Sequence, residues 1–314
     1  GAARRTLRMT LRRTRSSTGG WAGMLGGLVL IASAAQQPDG PRLAARFNEL
    51  TPTSEWREMP SVNLAFSTHH PQGMTVVGDR FFLSAVEVIN RARGAGRGHL
   101  IEAGFTGTLR RRLVLGEGPA YHPGGIDFDG ERIWVAVAEY RPDSRSIVYT
   151  VDPDTLEARR SFAFADHLGV LARVPGTRML VGASWGSRRL YRWTLNGEGD
   201  APADPTQPET AVNGSFYIDY QDAQTLPGTS LILFGGLNTY RRPQPATGTF
   251  ALGGLELLDA RDWSIRRQLP VERWSAGGRV MTQNPFCVRL VGERLLLHFI
   301  PDDQPSTLCT FEVK

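Results

Sequence analysis

The sequence predicts an all-β chain folded as a five-bladed β-propeller of four-stranded antiparallel blades. Three observations predict it: five glycine-centred tight turns, strand-like runs on both sides of each turn, and a blade-sized spacing between turns. The turns are Val77-Gly78-Asp79-Arg80, Asp129-Gly130-Glu131-Arg132, Pro175-Gly176-Thr177-Arg178, Pro227-Gly228-Thr229-Ser230 and Val291-Gly292-Glu293-Arg294. Their glycines are 52, 46, 52 and 64 residues apart, the repeat length of a four-stranded blade. Glycine suits such a turn because it enters the left-handed backbone region without a Cβ clash.

Each turn joins an inner strand A to a second strand B. Strand B runs over Phe81 to Val86, Ile133 to Ala138, Met179 to Ser184, Leu231 to Gly236 and Leu295 to Ile300. The second copy shows the whole unit as Gly125 to Phe128, Arg132 to Glu139, Ser146 to Val151 and Glu157 to Phe164. The last copy stops after its third strand near Val313, whereas an unassigned piece, Glu55 to Phe66, precedes the first. That N-terminal piece supplies the missing outer strand and closes the ring, which removes exposed sheet edges. Six blades, or two packed antiparallel sheets, are the alternatives.

Around this domain, assigned to residues 54–314, the chain divides into a signal peptide over 1–35 and a lead-in over 36–53. The formal charge of +5 rests on six arginines among the first 34 residues, which contain no acid. The remainder is close to neutral, so a global basic footprint and nucleic acid as a partner are excluded. The same arginines precede an apolar stretch, Trp21 to Ala32, and small residues Ala32-Ser33-Ala34, the layout of an export signal. The stretch is short of the roughly 20 residues that span a bilayer. The expectation is therefore a soluble periplasmic or extracellular protein with no stable membrane insertion after cleavage. Arg12-Arg13 leaves general secretory and twin-arginine export both open. Cys287 and Cys309 fall on the first and third strands of one blade, about 9 to 10 Å apart; this exceeds disulfide reach and implies two buried free thiols.

Aligning the copies on their turns places His70, His122, His167, Gly214 and Asn284 at one position, just before strand A. Strand A is innermost, so these side chains are expected to ring one mouth of the axis. Symmetry about each turn sets His70 opposite Glu87 and His122 opposite Glu139. A histidine beside a carboxylate suits acid–base catalysis, which makes these four the candidate catalytic residues. Neutral histidines are also ligands for a divalent metal, and His70, His122 and His167 are the candidate set. His69 is adjacent and points elsewhere. The plain alternative is that all of them satisfy strand ends and channel water.

The loops at the same end carry Arg91, Arg93, Arg97, Arg141, Arg145, Arg188, Arg189, Arg241 and Arg242, a rim able to orient an anionic small molecule. The plain reading is solvated loops in a chain whose basic residues are nearly all arginine. Trp185 offers a stacking wall. Blade four adds Tyr217 and Asp219 within Tyr217-Ile218-Asp219-Tyr220-Gln221-Asp222, and a long loop through Tyr240 and Pro243. With His167, Arg141, Arg188 and Asn284, these complete the candidate ligand contacts. No P-loop, dinucleotide fingerprint, CxxC, HExxH or GxSxG motif occurs.

Across Thr68-His69-His70-Pro71-Gln72-Gly73-Met74, Tyr121-His122-Pro123-Gly124-Gly125-Ile126-Asp127, Ala138-Glu139-Tyr140-Arg141-Pro142-Asp143-Ser144-Arg145-Ser146 and Tyr217 to Asp222, the chain resembles an uncharacterised family of bacterial secreted proteins, a domain of unknown function. The resemblance implies a propeller and export and supplies no reaction. More remotely, the layout is similar to the gluconolactonase and strictosidine-synthase propellers. That likeness implies an axial small-molecule site and, from the lactonases, metal-assisted hydrolysis; a non-catalytic binding or interaction propeller is the competing expectation.

Overall fold

The computed structural model describes residues 39–314; the expected signal segment, residues 1–35, lies outside them. Near-continuous burial along the second and third strands gives each sheet two apolar faces, and a ring of blades buries both. A helix α1, Gly40–Glu49, precedes two short strands, β1 (Trp56–Glu58) and β2 (Val62–Asn63). Blade one is β3 (His70–Val77), β4 (Arg80–Asn90), β5 (Ala95–Gly104) and β6 (Leu109–Leu115). Blade two is β7 (Ala120–Pro123) and β8 (Asp127–Phe128), which share the inner position, then β9 (Ile133–Glu139), β10 (Ser146–Val151) and β11 (Ala158–Phe164). Blade three is β12 (Leu168–Arg173), β13 (Met179–Ser184), β14 (Arg189–Thr194) and β15 (Glu209–Val212). Blade four is β16 (Asp219–Thr225), β17 (Leu231–Arg241), β18 (Thr249–Asp259) and β19 (Ile265–Val271). Blade five is β20 (Phe286–Val291), β21 (Arg294–Phe299) and β22 (Thr307–Val313), with β1 and β2 paired outside β22.

The chain is thus a five-bladed propeller, not a six-bladed one. All five predicted turns lie between strands A and B, and Gly78, Gly130, Gly176, Gly228 and Gly292 all have positive φ. Trp56 pairs with Val313 and Val62 with Leu308, so the N-terminal piece closes the last blade as expected. Cys287 and Cys309 are buried free thiols on β20 and β22.

Apolar clusters fill each blade interface. Phe82, Leu100, Ile126 and Val135 join blades one and two; Trp134, Phe162, Leu171 and Trp193 join two and three. The cluster between blades four and five also takes in Leu43 and Phe47 of α1. That helix falls in the stretch expected as a lead-in. Asp39 accepts the Arg42 N–H at its start, Pro41 sits in its first turn, and its apolar face packs onto the ring.

At the axis the inner strands meet closely. A Cβ on Gly73 would lie 2.5 Å from the Ile126 nitrogen, and one on Gly124 would lie 2.2 Å from the Gly169 carbonyl oxygen. Gly125 bridges Val170 in parallel, tying blades two and three backbone to backbone. Asp222 fills the remaining gap. One carboxylate oxygen accepts N–H groups from Met74 and Phe286, and the other from Ile126 and Ala223. Burial pushes its pKa up, against the four N–H donors that favour the charged form. Among the described residues no helix is long and apolar enough to cross a membrane.

Candidate functional site

The mouth at the strand-A entry is built from single residues at equivalent places in successive blades. His70 begins β3, His122 lies in β7, His167 precedes β12, and Asn284 precedes β20. The rings of His122 and His167 have centroids 5.5 Å apart. Tyr140 lies 4.1 Å from His122, and Trp185 lies 4.7 Å from His167 and 6.0 Å from Tyr140. Blades two and three therefore bring four rings into one cluster, with Arg91 of blade one stacked on Tyr140 at 4.0 Å. His122 and His167 are largely buried while Trp185 is 38% exposed, so the cluster presents an edge to solvent.

Burial holds the imidazoles neutral. The pKa of His122 falls well below the ordinary histidine value through desolvation, assisted by the nearby His167 and His70 charges. Desolvation also lowers His167, against the carbonyls it bonds. Its Nδ1 lies 2.8 Å from the Glu139 carbonyl oxygen and 3.1 Å from that of Arg141. Carbonyls only accept, so Nδ1 carries the proton and Nε2 the free lone pair. His122 Nδ1 is buried with no partner.

The expected histidine–glutamate pairs do not form. In blade one the register set by Val77 opposite Arg80 slips by one residue between Pro71 and Gly73, and His70 faces Val86. In blade two a slip between Ala120 and His122 sets Ala120 opposite Glu139 and His122 opposite Ala138. These β-bulges put an extra residue into the inner strand, which turn symmetry cannot register. Glu87 instead bonds His99 at 3.2 Å and Arg97 at 3.4 Å, and Glu139 bonds Arg141 at 2.7 Å. The acid partner of His70 is Asp303, 2.5 Å from Nδ1 and also 2.9 Å from Arg279. Asp303 stands in the loop after β21, in an Asp302-Asp303 pair that the turn alignment did not weigh.

The metal assignment also changes. Among the described residues, the histidine and acid donors that converge within 4.8 Å are His69, Glu87 and His99, not His70, His122 and His167. His69 has a left-handed backbone with φ of 52°, and its ring stacks on His99 at 4.9 Å with a 10° interplanar angle. The composition matches a divalent-metal site. Two features fit it poorly: Arg112 Nη1 already lies 3.2 Å from His69 Nε2, and near-parallel rings do not direct both lone pairs at one point. Under the rim of blade one, Glu87 is hydrogen-bonded to His99 while His69 stacks on His99 and meets Arg112, and burial lowers both histidines.

Four of the nine rim arginines are ion-paired at home. Arg188 pairs with Asp219 at 3.3 Å, and Arg189 pairs with Asp143 at 2.8 Å and Asp166 at 3.0 Å. Arg97 and Arg141 are also paired, whereas Arg91, Arg93, Arg145, Arg241 and Arg242 have no acid partner among the described residues. Asn284 donates to the Pro301 carbonyl at 3.1 Å, a structural bond at the strand end. Tyr217 packs its ring against Gly254 in the apolar contact of blades three and four, and its hydroxyl is buried without a partner. Tyr140 and Asp303 are the mouth residues that sequence reasoning missed, while Arg91, expected on the rim, stacks on Tyr140. Tyr140 had a usable signal, since it directly follows the last residue of strand B, as Trp185 does in the next blade.

A family model described as a family of unknown function matches residues 28–313. Similar solved structures include the tail fiber of Staphylococcus aureus phage P68, with TM-score 0.50 and 7% identity over 86% of this chain and 56% of that one. A glycosyl hydrolase from Bacteroides ovatus gives 0.49 and 12% over 82% and 93%. A hypothetical protein from Leishmania major gives 0.47 and 12% over 86% and 92%. At these identities the likeness is one of fold. No curated protein matches the chain.

Proposed function

The chain belongs to the family of unknown function DUF6454, and we propose that it is an exported propeller that binds a small ring-bearing molecule at its histidine mouth. Export rests on the sequence of residues 1–35 alone. The binding reading is carried by one observation: His122, Tyr140, His167 and Trp185 gather with centroids 4.1 to 6.5 Å apart, with the Trp185 edge in solvent. Aromatic walls stack on the face of a flat or ring-shaped ligand, while neutral imidazoles and a tyrosine hydroxyl offer hydrogen bonds without charge. The ring cluster favours a ring-shaped polar ligand such as a sugar or a lactone, and the five rim arginines without an acid partner among the described residues leave room for an anionic group on it.

A second reading, hydrolysis of that ligand, is supported by His70. Its Nδ1 rests 2.5 Å from the Asp303 carboxylate, an arrangement that orients the imidazole so that Nε2 can take a proton from water. Calorimetric titration with neutral monosaccharides and with γ- and δ-lactones tests both. Binding is expected in the native protein and about tenfold weaker in Trp185→Ala at an unchanged melting temperature. Turnover of a lactone that is lost in His70→Gln, with binding kept, supports hydrolysis; binding without turnover leaves a binding module. Equal affinity in Trp185→Ala, or no binding by any member of the panel, overturns the site.

A further inference from the structure

The Asp222 plug gives the axis a second chamber. Beyond it, at the hairpin-turn end, inner strands of blades one, two, four and five part around a cavity of about 390 Å³. That volume is in the range of small-molecule sites. Its walls are mostly apolar, with Val76 and Val77 from β3, Phe128 from β8 and Leu290 from β20.

Two ionisable side chains of opposite kind, Asp127 and Arg289, line this chamber, and their situations differ. Asp127 is fully buried and internally satisfied: one carboxylate oxygen accepts the Thr225 N–H at 3.0 Å and the Thr225 hydroxyl at 2.5 Å. Arg289 lies over the Phe105 ring at 4.7 Å and has no ion pair or hydrogen bond among the described residues. An arginine lining a mostly apolar cavity, without a carboxylate, lacks the partner that its guanidinium ordinarily holds. Thr75 and Thr225 add only neutral polar groups, and the Cys287 thiol is a neutral neighbour.

We propose that this chamber is a second ligand site, independent of the histidine mouth, for a small carboxylic acid with an apolar body whose carboxylate meets Arg289 while its body fills the Val76, Val77, Phe128 and Leu290 surface. The bidentate fit of guanidinium to carboxylate favours this class over a bare ion, and the apolar walls favour a hydrocarbon or aromatic body over a polyol.

The pH behaviour follows from Asp127. Burial raises its pKa to about 8, so near neutral pH it is uncharged and Arg289 is the chamber's one formal charge. The other titratable groups around Asp127 are Asp129, which is ion-paired with Arg173, Cys287 and Arg289 from β20, and Asp222 from β16. As pH rises through about 8, Asp127 ionises and an anionic ligand is repelled.

The test is calorimetric titration of the whole protein with benzoate and hexanoate at millimolar concentration, with inorganic phosphate as comparison. Both carboxylates are expected to bind. Arg289→Met, which keeps the apolar stem, is expected to weaken them about tenfold or more, and Trp185→Ala to leave them unchanged. Affinity in the native protein is expected to fall above pH 8, and Asp127→Asn to flatten that fall; this arm holds even if Arg289→Met does not fold. No binding of either carboxylate, equal binding by a folded Arg289→Met, or phosphate binding as tightly as benzoate would each overturn the proposal. Loss on Trp185→Ala would place the carboxylate at the histidine mouth and overturn it as well.

Discussion

Asp222 is where one side chain does most to hold the ring. It joins inner strands of blades one, two and five to its own blade, through partners 148, 96 and 64 residues away in sequence. Replacing it by alanine strips three other strands of their acceptor in a place too tight for water, and each buried N–H left unpaired costs about 1 to 3 kcal/mol. Asp222→Ala is therefore expected to lose several kcal/mol in denaturant unfolding, and Asp222→Asn, which keeps one carbonyl oxygen, to lose less. A loss below about 1 kcal/mol in the alanine variant would mean that the strands meet the axis without this carboxylate. The sequence placed Asp222 on an inner strand but gave no sign of this role, because all four of its donors are backbone groups. The same holds for His70: its acid lies in another blade, and no symmetry within one hairpin points to Asp303.

At the scale of elements, the inner hairpins were legible at their turns and misread at their far ends. Each turn glycine marks itself, since only a residue without a Cβ takes its backbone at low cost. The bulges near Gln72, Tyr121, Gly169 and Gln221 carry no comparable mark, yet each shifts everything beyond it by one position. Two glycines separate these effects. Gly292 has φ of 63° and open space around it, so Gly292→Ala carries only backbone strain, about 1 kcal/mol. Gly73 has an ordinary φ but no room, and Gly73→Ala must push the Ile126 backbone and Asp222 apart. Thermal unfolding is expected to show a small shift for the first and a several-fold larger one for the second; the reverse order would mean that the axis has slack. The helix α1 had its signals in the Asp39 cap, Pro41 and the Leu43–Phe47 spacing, but its burial depends on a face formed by blades four and five.

For the molecule as a whole, closure is the decisive contact. The last blade takes its outer strand from the N-terminal side of the ring, with Trp56 stacked on Phe299 and edge-on to Phe311. Removing residues 54–66 bares the edge of β22 and opens the apolar contact that Leu64 and Phe66 make between blades five and one. The shortened protein is expected to associate through that edge in size-exclusion chromatography and to melt at a lower temperature. A monomer with native melting would show that the ring stands without its clasp.

The sequence by itself determined the number of blades, the place of every inner turn, the N-terminal closure and the free cysteines, because these follow from backbone periodicity and from residues whose conformational limits are local. Only the tertiary structure decided which acid meets which histidine, how aromatic rings from two blades share a mouth, and that the axis is divided into two chambers. Those outcomes depend on one-residue bulges and on contacts between blades, where side chains distant in sequence compete for the same few ångströms.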